Sequence, residues 1–108
     1  MTGTEYQKLA MRTNKPEATQ EENLINGCLG LAGEAGEVCD YIKKHIYQGH
    51  ELDYNHVAEE ISDCLWYAAL TATAIGWDLS NIMEMNIEKL KKRYPEGFSV
   101  MNSINRTE

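Results

Sequence analysis

Leu24, Cys28, Leu31, Ala35, Val38 and Ile42 recur at alternating steps of four and three residues. Only a helix with 3.6 residues per turn puts such positions on one stripe. The spacing predicts a long helix over 20–47, with a heptad-like seam. Thr19 and Glu22 have the spacing of a capping box at its start, and Gly49 stands just past its end. A second seam, Val57, Ile61, Cys64, Ala68, Thr71 and Ile75, predicts another helix over 55–75. Asp53 or Asn55 is its expected N-cap and Gly76 its end. The connector between the two is short and polar, so they are expected to pack antiparallel.

Two shorter helices complete the reading. One covers 4–12, with Tyr6, Leu9 and Ala10 facing inward, and is broken before Pro16. The other covers 79–94, opened by Asp78 and stopped by Pro95 and Gly97. Residues 95–108 lack periodicity and read as a tail. The expected fold class is all-α: one domain over 1–108, a four-helix bundle with two long central helices. Gly27, Gly30, Gly33 and Gly36 stand inside the first long helix, where each costs about 1 kcal/mol against alanine. Such a row lets another helix or a ligand approach the backbone; the alternative is a weakened or kinked helix.

Inside these apolar segments stand two pairs of carboxylates, Glu34/Glu37 and Glu60/Asp63. Three residues on a helix correspond to about 4.5 Å of rise and about 60° of rotation, so each pair projects from one face. Each acid immediately precedes a seam residue: Ala35, Val38, Ile61 and Cys64. The four therefore lie on equivalent flanks of two adjacent seams and face one another if the helices are antiparallel. Carboxylates gathered beside a core repel one another unless a cation sits among them. An oxygen-only set suits Mg²⁺, with Mn²⁺ as the second choice, and not zinc. A single Glu-x-x-Glu is ordinarily a solvated face; two pairs at matched offsets favour the metal reading. Asp40 and Glu59 extend the acidic cluster.

The second short helix carries a basic row. Asn86, Lys89 and Arg93 share a face, a pattern that suits polyphosphate beside a cation. The alternative is a basic last turn complementing the helix dipole. Tyr67 lies one turn beyond Asp63 and could stack on a planar base. Lys44, seven residues after Glu37, shares its row and could reach phosphate. Trp66 and Trp77 read as core or interface residues.

Ten basic against 17 acidic residues give a net charge of −7, which argues against a nucleic-acid polymer as partner. Cys28, Cys39 and Cys64 have no metal-type spacing and read as small buried hydrophobes of a reducing compartment. No run of about 18 apolar residues is present, so no membrane span is expected, and the location is expected to be cytoplasmic.

The segments Gly-Leu-Ala-Gly-Glu34-Ala-Gly-Glu37-Val, Glu59-Glu60-Ile-Ser-Asp63-Cys-Leu-Trp-Tyr67 and Asn86-Ile-Glu-Lys89-Leu-Lys-Lys-Arg93-Tyr94-Pro-Glu-Gly-Phe-Ser resemble the MazG-like nucleotide pyrophosphohydrolases, most of all short single-domain members from phages and bacteria. The resemblance covers residues 20–100. It implies an all-α chain that forms homodimers or homotetramers. It also implies Mg²⁺-dependent cleavage of a nucleoside triphosphate to monophosphate and pyrophosphate. By the resemblance Glu34, Glu37, Glu60 and Asp63 bind metal, Lys89 and Arg93 contact phosphate, and Tyr67 contacts the base. Glu37 or Glu34 is the expected catalytic base. The chain departs from the family at Gly33, where many members have a first glutamate. Two other classes stay open: a di-metal carboxylate bundle, which wants Glu-x-x-His pairs absent here, and a non-catalytic assembly protein of the same fold.

Overall fold

The computed structural model describes residues 1–106; the last two residues of the predicted tail, 107 and 108, lie outside the described residues. Five helices follow one another: α1 Gly3–Ala10, α2 Gln20–Gln48, α3 Tyr54–Ala74, α4 Leu79–Arg93 and α5 Val100–Ile104. A 3₁₀ turn, Met11–Thr13, continues α1. No β-strand occurs among the described residues, and the all-α class holds.

The helix ends are set by the expected chemistry. Thr19 accepts from the Glu22 amide while the Glu22 carboxylate takes the Thr19 N–H, which holds the Glu22 carboxyl below its usual range. Gly49 ends α2 in the left-handed region at φ 72°, where a Cβ is penalised. Asp53 caps α3 and Asp78 caps α4. Two elements differ from expectation. A second capping box, Thr2 with Glu5, starts α1. In the predicted tail, Ser99 accepts from the Asn102 amide and opens the short α5. Five residues are too few to show a period.

The hairpin of α2 on α3 is the body of the molecule. Gln20 Nε2 donates to the Ala74 carbonyl at one end, and the Tyr41 and His56 rings stack at 4.3 Å at the other. Between them Gly27 meets Thr71 and Gly30 meets Tyr67. The run of pairs is antiparallel. α1 lies across α3. Trp66 Nε1–H donates to the Ala10 carbonyl at 3.1 Å and to Thr13 Oγ1 at 2.9 Å. Gln7 clamps the α3–α4 turn: its amide donates to Thr73 Oγ1 and the Trp77 carbonyl, and its Oε1 accepts from the Leu79 amide.

The line along which α2 and α3 meet is not the predicted seam. It runs through Gly27, Gly30 and Glu34, rotated toward the carboxylates. Leu24, Cys28, Ala35 and Ile42 of the first seam are exposed, as are Ile61 and Ile75 of the second. The physical reason is the glycine groove: Gly27 and Gly30 let the α3 backbone and the Tyr67 ring come closer than a Leu or Val stripe would allow. The small-residue row is therefore a helix-packing surface at 27 and 30, while Gly33 and Gly36 face open space. Cys28 and Cys39 are exposed and Cys64 is half-buried, contrary to the expectation of buried thiols, because the first two lie on the faces that α3 leaves uncovered. Leu9, expected to face inward, and Trp77 are also exposed.

The buried core is small: Ala10, Ala69, Leu70, Ala72, Ala74 and Leu79. The radius of gyration is 16.9 Å, against about 13 Å for a compact chain of this length. The accessible surface is 8070 Å², against about 6,100 Å² for a compact monomer of this mass. No helix among the described residues is long and apolar enough to cross a membrane.

Candidate metal centre

Because the packing line passes through Glu34, the two acidic segments meet at mid-hairpin. One carboxylate oxygen each from Glu34, Glu60 and Asp63 lies within 4.8 Å of the others. Glu34 and Glu60 are half-buried and Asp63 is exposed. The hydrogen bond between the Glu34 and Glu60 carboxyls raises the Glu34 pKa above the ordinary value. Desolvation and the charges of Asp63, Glu60 and Glu37 raise it further. No cationic side chain contributes to that balance. Three hard oxygen donors in one place, whose mutual repulsion a cation would relieve, fit a divalent cation.

Glu37 projects one turn beyond Glu34, is exposed, and stands outside the triad. Lys44 reaches back to Asp40, with Nζ 2.9 Å from Oδ2. That pairing holds the Asp40 carboxyl low and raises the Lys44 ammonium, helped by Glu37. Asp40, paired also with Lys43 at 3.5 Å, is thus engaged by lysines. Glu59 is exposed and outside the triad. Tyr67 lies with its ring on Gly30 and its edge toward Trp66, centroids 5.1 Å apart at 86°. It borders the carboxylates from the side of the glycine groove.

The basic row lies on α4. α4 packs on α1, where Met83 and Ser80 touch Gly3. Leu65 of α3 lines a pocket with Met83. Leu65 is two residues from Asp63 and so about 160° round the helix from it. Asn86 and Lys89 are exposed, and Lys89 makes no ion pair among the described residues. The Arg93 guanidinium lies 5.8 Å from the Tyr94 ring centroid. Within one protomer the three carboxylates are joined to one another, and the start of α4 packs beside a residue on a different face of α3 from Asp63.

Sequence reasoning passed over two neighbours of the triad. His56 Nε2 lies 3.4 Å from Glu60 Oε1, one turn before it on α3. Tyr41 of α2 holds the His56 ring. The spacing of four between His56 and Glu60 was the available signal; the packing of Tyr41 required the register of the hairpin.

Residues 20–98 match the model of a family described as the MazG nucleotide pyrophosphohydrolase domain. The chain is also similar to Gene 37 protein of Mycobacterium phage L5, 29% identical over 89 residues that cover 79% of this chain and 78% of that protein. No solved structure gives a significant match.

Proposed function

The chain belongs to the MazG nucleotide pyrophosphohydrolase family, and from that premise we propose that it is a Mg²⁺-dependent nucleoside triphosphate pyrophosphohydrolase, giving a monophosphate and pyrophosphate. The observation that carries the reading is the convergence of Glu34, Glu60 and Asp63 at mid-hairpin, whose mutual influence pushes the Glu34 carboxyl up. These three residues would hold the cation. Bound there, it would neutralise phosphate charge and make a coordinated water more acidic. Glu37, exposed one turn from Glu34, would take the proton of the attacking water. The water oxygen forms a bond to the α-phosphorus, the bond to the bridging oxygen breaks, and pyrophosphate leaves. Tyr67 offers a ring beside the carboxylates on which a base can stack. No Ser, Cys or Lys nucleophile is needed.

The phosphate contacts come from a second copy. The start of α4, at Met83, packs beside Leu65, which lies about 160° round α3 from Asp63, and a triphosphate needs both the cation and cationic side chains. The surface excess over a compact monomer, about 2,000 Å² per chain, is what an obligate dimer buries. Ile61, 51% exposed, and Leu24 and Ile42 on α2 supply the apolar patch. On α4, Met83, Ile87 and Leu90 form an exposed stripe beside the basic row. Packing stripe on stripe carries one protomer's Lys89 and Arg93 toward the other's acids.

Incubation with Mg²⁺ and a panel of ribo- and deoxynucleoside triphosphates tests the reading. Monophosphate and pyrophosphate in equal amounts are expected, and Glu60→Ala abolishes both while circular dichroism shows the helices intact. Release of orthophosphate, no release from any nucleotide, or normal turnover by the variant would overturn it.

A further inference from the structure

The Glu60 side chain is only 16% exposed, and His56 Nε2 approaches its Oε1 at 3.4 Å. An i, i+4 pair on an open helix surface contributes little, because both side chains remain free to swing. This pair is not free. The His56 ring packs on Tyr41 of α2 at 4.3 Å between centroids and 60° between planes. Tyr41 is itself fixed at its far end: its O–H donates to the Glu51 carbonyl at 3.3 Å, and its oxygen accepts from the Asp53 N–H at 2.9 Å. Asp53 is the N-cap of α3. A continuous path thus runs from the α2–α3 connector through Tyr41 and His56 to Glu60.

We propose that His56, clamped by Tyr41, is a positioning residue that holds Glu60 in the rotamer required for cation binding. The proposal rests on the metal reading of the carboxylate triad. The role needs a proton on Nε2, which the Nε2–H tautomer and the charged ring both carry. With His56 Nε2 3.4 Å from Oε1, an Nε2–H turned onto that oxygen would leave Glu60 its other oxygen for the cation and restrict its rotation away from Glu34 and Asp63. Outer partners of this kind typically change metal affinity ~10-fold or more when removed. Tyr41 acts one step further out, by denying the imidazole its alternative rotamers.

Titration calorimetry with Mn²⁺, together with the Mg²⁺ dependence of turnover, tests this. His56→Ala is expected to weaken Mn²⁺ binding ~10-fold and to raise the Mg²⁺ concentration for half-maximal rate by a similar factor, with kcat at saturating Mg²⁺ little changed. His56→Gln, whose amide N–H can still donate to Glu60, recovers most of the affinity. Tyr41→Leu weakens binding in the same direction with Glu60 and His56 both present. Wild-type Mn²⁺ affinity in His56→Ala overturns the positioning role while leaving the metal site standing. Equal loss in His56→Gln and His56→Ala, at unchanged helical content, overturns it as well. A wild-type protein that binds no Mn²⁺ overturns the metal reading and the proposal with it.

Discussion

Gly30 and Tyr67 occupy the same space: a methyl group on Gly30 would fall within the Tyr67 ring. The phenol lies on bare helix backbone, and this is what brings α3 close enough for Glu60 and Asp63 to meet Glu34 one turn further along.

Alanine is therefore expected to act with opposite sign along one row of glycines. At Gly27 the added carbon meets the Thr71 side chain and lies 3.2 Å from that residue's backbone, which cannot yield. Gly27→Ala and Gly30→Ala should each destabilise by about 1–3 kcal/mol. Gly33 and Gly36 face open space within the protomer, so alanine there recovers helix propensity, up to about 1 kcal/mol each. Urea denaturation of the four variants checks the split.

The acids of the metal centre oppose the fold that carries them. In the folded, cation-free chain Glu34 holds its proton more tightly than in the unfolded chain, chiefly through its hydrogen bond with Glu60. That contribution to stability is whole below the ordinary carboxylate pKa and is lost as pH rises through the raised folded value. Glu34→Gln removes the dependence. The Tm of wild type minus that of Glu34→Gln, measured in chelator, should fall as pH is raised from about 4 to neutrality. Glu60→Gln should likewise raise the cation-free Tm at neutral pH while abolishing turnover. Unchanged melting in both variants would contradict the account.

The proposed sharing of the site between copies has a direct check. Glu60→Gln and Lys89→Ala each break both sites of a homodimer. Mixed after reversible unfolding, half the dimers carry one chain of each kind. One site of each mixed dimer is then whole, which returns about one quarter of wild-type activity. No recovery would place the acids and the basic row of a working site on one chain. Ile61→Lys, on the exposed seam, should halve the mass seen by sedimentation and remove turnover at the same time.

Trp66 ties α1 to the hairpin through a single N–H shared between the Ala10 carbonyl and Thr13 Oγ1. Trp66→Phe keeps most of the apolar contact and removes the donor. The expected cost is about 1 kcal/mol in chemical denaturation, with Mn²⁺ affinity unaltered. Tyr6, also on α1, does feel Asp63: burial first, then that charge, raises its phenol; a change in metal binding in Trp66→Phe would mean that the Trp66 tie helps set the acids as well.

What could be read from residues alone follows from how local each signal is. Thr19 with Glu22, Asp53, Asp78 and Gly49 act within one turn of themselves, and the helices they bound were legible for that reason. The acids were legible because spacing on a helix is also spacing in space. The packing line was not. Leu24, Cys28, Ala35 and Ile42 form the more hydrophobic stripe, and pattern alone assigns such a stripe to the nearest helix. It could not weigh the close approach that Gly27 and Gly30 permit. The packing of Met83 beside Leu65 was hidden too, since it depends on which side of α3 the α3–α4 turn delivers the chain.

Every carboxylate of the cluster belongs to the α2–α3 hairpin, and every member of the basic row belongs to α4. In the proposed function, cation binding and phosphate contact then fall on separate stretches of the polypeptide. Substitutions in α4 would alter the grip on phosphate while leaving the carboxylate donors of the hairpin in place. Such a division would let the two halves of the site change independently.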